Sequence, residues 1–89
     1  MSLPGRFVET TSGRVFVHRA GDENKRPLVL LHGFMMSHWY YRGLLPRLTE
    51  HHQVFAIDLP GHGESDRPDP ARYRYDSPAY AATVDEVMD

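Results

Sequence analysis

Four consecutive apolar residues, Leu28 to Leu31, stand between Pro27 and the pair His32-Gly33. The run is too short for a helix. Proline blocks helical hydrogen bonding at one end, and glycine lets the chain turn sharply at the other. A short unbroken apolar run bounded in this way is the pattern of a strand buried on both faces, as in a parallel sheet. A second strand-to-loop junction follows, where Gln53 to Ile57 runs into Asp58-Leu-Pro-Gly-His-Gly63.

Between the two, Ser37 can cap a helix, and Tyr41, Leu44, Leu45 and Leu48 fall at i, i+3, i+4 and i+7. Pro46 interrupts that stripe. The pattern allows two short helices meeting near Gly43, or one kinked helix. Strand, helix, strand with both strands buried implies a parallel pair joined by a right-handed crossover.

Upstream, residues 6–10 and 14–19 alternate at period two around Thr11-Ser12-Gly13, which predicts an antiparallel hairpin at a sheet edge. Downstream, residues 60–70 are dense in Gly, Pro and Asp and read as a loop. Ser77-Pro78 predicts a helix start, with Tyr80, Val84, Val87 and Met88 on its apolar face. No repeat or linker divides the chain, so residues 1–89 read as a segment of one domain.

Composition narrows the function. A hydrophobic fraction of 40% with 25% charged residues is that of a folded chain. A formal net charge of −2 gives no reason to expect a nucleic acid or an anionic membrane as partner. There is no cysteine, which excludes disulfides and thiolate metal sites. The six histidines form neither an i, i+4 helical pair nor a His-x-His pair with carboxylate support, so no metal is expected. No run reaches transmembrane length and the start lacks the apolar core of a signal peptide, so the expected location is cytoplasmic.

Buried strand, His32-Gly33-Phe34 turn, helix, buried strand, Asp58-Leu-Pro-Gly-His-Gly63 turn: this succession resembles the front half of an α/β-hydrolase. The fold class implied is α/β, with an antiparallel hairpin, then a parallel strand-helix-strand unit and a further helix. The activity implied is hydrolysis of a small ester-like or related electrophilic substrate, with no cofactor. In that chemistry an oxyanion forms in the tetrahedral intermediate and is held by fixed backbone N–H groups, one of them from the loop between the third strand and its helix. The resemblance gives that role to the N–H of Phe34. Met35, Met36 and Trp39 can floor an apolar substrate pocket, methionine being adaptable in shape, and ordinary packing at the helix start is the competing reading. The resemblance makes His32, Gly33, Asp58, Gly61 and Gly63 structural rather than catalytic. Phe34, where one large group of haloalkane dehalogenases has Asn, argues against that group.

The Gly-x-Ser/Asp/Cys-x-Gly nucleophile elbow of the family is not in the sequence. Gly63-Glu-Ser65-Asp-Arg67 lacks the second glycine and does not directly follow a strand, so Ser65 is not expected to be the nucleophile. By resemblance the strands lie in the order first, second, fourth, third, fifth, which leaves the outer edge of Leu28–Leu31 open. An open apolar edge is a template for another strand. The expectation is therefore an amino-terminal segment, unstable as a lone monomer. A second polypeptide would supply the elbow strand, the acid and the histidine. A non-catalytic assembly subunit or a ligand-binding receptor of the same fold is the alternative.

Overall fold

The computed structural model describes residues 2–33 and 36–89. It contains four strands: β1 (Arg6–Thr10), β2 (Gly13–Ala20), β3 (Arg26–Leu31) and β4 (His52–Ile57). A 3-10 turn (His38–Tyr41) and α1 (Leu45–Leu48) connect β3 to β4, and α2 is Ser77–Met88. The sheet order is β1-β2-β4-β3, antiparallel at the first two pairings and parallel between β4 and β3. This is the expected α/β arrangement, with the hairpin at one edge and β3 at the other.

Register follows from period two. Val17 lies opposite Ile57, and Val29 opposite Phe55. These residues share one face, where Val15, Val17 and Ile57 are buried and Val84 and Val87 of α2 pack on them. Burying each such side chain contributes about 1.5–3 kcal/mol. His18, Ala56 and Leu30 align on the opposite face. On it the His38 ring lies 4.9 Å from that of Phe16. β4 is buried on both faces because strands flank it and helices cover it.

Two local expectations need correction, and one pair of alternatives is decided. β3 is only half-buried, and Leu31 is 43% exposed, because no strand among the described residues pairs with its outer edge. Pro27 sits in this edge strand, the place a sheet tolerates a residue without an N–H. Of the two arrangements allowed for residues 41–48, the structure has two short segments on either side of Gly43, the 3-10 turn and α1, and Leu45 is buried while Leu44 is 51% exposed. The reason is Pro46, which cannot continue a preceding turn but is accommodated in the first turn of a new helix, so α1 starts afresh at Leu45. Finally, Asp76 rather than Ser77 caps α2, its carboxylate accepting from the Ala79 N–H at 3.0 Å. Thr83 is the buried residue of that helix; its hydroxyl donates to Ala79 O and accepts from the Tyr73 hydroxyl.

Candidate active site

Parallel pairing brings the C-terminal ends of β3 and β4 side by side, so the two loops leaving them meet. Each loop carries residues singled out above, and the contacts between the loops are made by two histidines.

His32, directly after β3, accepts from the Leu59 N–H through Nε2 at 3.0 Å. An acceptor nitrogen carries no proton, so the ring proton is on Nδ1, which donates to Gly33 O at 2.8 Å. The ring is neutral and buried, and lies 4.7 Å from that of His62 with the two planes tilted by 49°. Burial holds its pKa below the ordinary histidine value, and the nearby His62 adds to that; the Gly33 bond acts in the opposite direction. Neither nitrogen is available as a general base in this arrangement.

Because the folded state binds the proton less readily than the unfolded chain, His32 stabilises the fold fully above about pH 6.5. That contribution is lost as pH falls through its lowered folded pKa, when protonation at Nε2 breaks the Leu59 bond. The His32 ring resonance followed by NMR should titrate with a midpoint below about 6.5, and exchange of the Leu59 amide should accelerate in the same window. A midpoint at or above the ordinary value contradicts this assignment.

Asp58 follows β4 and is completely buried. Its Oδ1 accepts from the His38 N–H at 2.6 Å and from His38 Nδ1 at 2.9 Å, and Oδ2 accepts from the Glu64 N–H at 2.9 Å. Gly63 has φ +52, and a Cβ there would stand 2.1 Å from Oδ2. The turn therefore needs glycine twice over, for its backbone and for the carboxylate against its Cα. At Gly61, with φ +84, a Cβ would meet the Tyr75 ring at 2.6 Å.

Ser65 is buried, donates to Asp58 O at 2.6 Å and accepts from the Phe16 N–H at 2.8 Å. With its proton committed to a backbone carbonyl and no opening to solvent, it cannot attack a substrate. Arg14 and Asp66 exchange backbone and side-chain bonds as well, so the whole turn is fastened to β2.

Met36 lines an open hollow of about 980 Å3 with His62, Arg67, Tyr75 and Tyr80. Tyr75 holds φ +53, uncommon for a residue with a side chain, and its hydroxyl donates to Pro68 O. Phe34 and Met35 lie outside the described residues. The structure thus brings His32, Gly33, Asp58, Gly61, Gly63 and Met36 into one region. It adds His38, for which the local sequence carried no signal beyond the need of a buried Asp58 for donors. Among the described residues no group of three metal-ligating side chains comes together. No described helix is long and apolar enough to cross a membrane.

Comparison with known proteins fits this architecture. A family model described as alpha/beta hydrolase fold matches residues 26–89, and the chain belongs to that family. Mycobacterium tuberculosis LipZ, a protein named as a hydrolase, is 41% identical over 69 residues, which is 78% of this chain and 23% of LipZ. The pimeloyl-[acyl-carrier protein] methyl ester esterase of Methylococcus capsulatus is 44% identical over 61 residues, or 68% of this chain and 20% of the esterase. The crystal structure of the N-acyl homoserine lactonase AidH superposes with a TM-score of 0.85 at 34% identity. That match covers 97% of this chain and 31% of AidH. The chain thus spans between a fifth and a third of the length of these relatives.

Proposed function

We propose that these 89 residues supply the oxyanion loop of an α/β-hydrolase acting on a small ester, lactone or similar electrophile. The observation that carries the reading is the pairing of β3, parallel to β4 on one side and open on the other. A further parallel strand laid on that open edge would end beside Gly33. A nucleophile following it would face the loop that holds Phe34. Beside that edge lies a groove of about 550 Å3 lined by Leu31, Leu59, Tyr80, Val84 and Met88, apolar surface that such an addition would cover.

In this mechanism a nucleophile attacks the substrate carbonyl, and negative charge develops on the carbonyl oxygen. Two backbone N–H groups meet it, that of Phe34 and that of the residue after the nucleophile. A His32 ring bonded at both nitrogens fixes the start of the loop without taking part in proton transfer. The elbow strand, acid and catalytic histidine come from polypeptide outside these residues, in the split arrangement a second chain completing the sheet by strand addition. The esterase and lactonase names of the relatives support a carbonyl substrate, since both bonds break through the same tetrahedral intermediate.

Hydrolysis of p-nitrophenyl acetate tests the reading. The completed protein should turn the ester over, and the 89-residue chain alone should give only the buffer rate. A completed, folded protein inactive on an ester, a lactone and an epoxide would contradict an enzymatic role and leave the ligand-binding alternative.

A further inference from the structure

A buried Asp–His pair invites reading as a catalytic dyad, and the Asp58–His38 pair has the right components. Its outer nitrogen is already used. His38 Nε2 accepts from the Leu3 N–H at 2.9 Å, so the ring proton sits on Nδ1 and points at Asp58. The ring is 1% exposed. No substrate proton can reach it. What the pair does instead is extend a hydrogen-bond chain through the molecule. It runs from Leu3 through the ring to Asp58 Oδ1, and from Oδ2 to the Glu64 N–H.

The N-terminal arm is seated closely along this chain. His18 Nδ1 donates to Pro4 O at 2.5 Å, and the His18 ring stacks 6.4 Å from that of His38. A Cβ on Gly5 would stand 2.4 Å from Val17 O and 2.6 Å from the Phe16 ring. Two histidines therefore hold the arm by one N–H and one carbonyl. The other end of the chain reaches both loops at once, since Asp58 binds the 3-10 turn after β3 through the His38 N–H and the β4 turn through Glu64.

We infer that His38 is a positioning residue, and that residues 2–4 act through it as a strut. With the arm in place, the ring is locked in one tautomer and orientation, and the carboxylate holds the two loops at fixed separation. Together with His32, which ties Gly33 to Leu59, this pins the loop exits to consecutive residues, Asp58 and Leu59. The strut itself stands on geometry; its effect on turnover rests on the hydrolase reading above.

The test uses the completed protein with this chain isotopically labelled, in wild-type form, with residues 2–4 deleted, and as His38→Asn. Asn keeps a donor near the Nδ1 position but offers nothing at Nε2. Deleting the arm should accelerate amide exchange at the unaltered His38 and Glu64 by about tenfold or more. It should lower kcat on p-nitrophenyl acetate by about 3–10-fold, with KM changed less than about twofold. His38→Asn should free the Leu3 amide while Glu64 stays closer to wild type. Exchange at His38 and Glu64 unchanged by the deletion would overturn the strut, whether or not His38→Asn folds. Faster exchange with unchanged kcat would overturn the positioning role. A wild type inactive on every ester would overturn the hydrolase reading, and the exchange data would still decide the strut.

Discussion

Asp58→Asn is expected to destabilise the completed protein by about 3–5 kcal/mol, through weakened charge-assisted hydrogen bonds and one unpaired buried donor, a large share of the 5–15 kcal/mol typical of a domain. The substitution keeps the shape, so the loss is electrostatic. Three N–H groups converge on the carboxylate from His38 and Glu64, at 2.6, 2.9 and 2.9 Å. An Asn carbonyl can serve the two His38 donors. Its NH2 must then face the Glu64 N–H, donor against donor, with Gly63 leaving no room to turn away. Hydrogen bonds to a charged group contribute about 1.5–3 kcal/mol each, and leaving a buried donor unpaired costs about 1–3 more. The midpoint of urea unfolding, followed by circular dichroism, measures the change. A shift equivalent to less than about 1 kcal/mol would show that water or a rearranged turn serves these donors instead.

The strands were legible in the residues because their signal is local. Alternation at period two placed β1 and β2, and short apolar runs next to glycine or proline placed β3 and β4. What sequence reading missed depends on partners far along the chain. Leu31 looks like core, but its burial requires a neighbour on the open edge of β3. Tyr41 and Leu44 fit a helical stripe, but the 3-10 turn ends at Tyr41 and α1 begins only at Leu45. Tyr41 instead donates its hydroxyl to Leu31 O. Asp76 and Ser77 are both good caps ahead of Pro78, and only the backbone geometry distinguishes them. His38 is the instructive omission. Nothing around Ser37-His38-Trp39 signals a buried polar ring, because the groups that satisfy it lie 35 residues before it, at Leu3, and 20 after it, at Asp58.

The second large effect is expected at Phe34, and it bears on catalysis rather than stability. If the Phe34 N–H meets the developing oxyanion, its removal costs transition-state binding while leaving ground-state binding nearly intact. Proline in its place deletes that N–H. Phe34→Ala keeps it and removes only the ring. Loss of one oxyanion donor lowers kcat by about 100–1,000-fold in acyl-transfer enzymes. The most direct measurement is therefore kcat and KM for p-nitrophenyl acetate in the completed protein, as wild type, Phe34→Pro and Phe34→Ala, each checked for native circular dichroism. The account predicts a fall in kcat of that size for Phe34→Pro with little change in KM, and most of kcat retained by Phe34→Ala. Equal activities for the two folded variants would contradict it, because the backbone N–H would then have no part in the reaction.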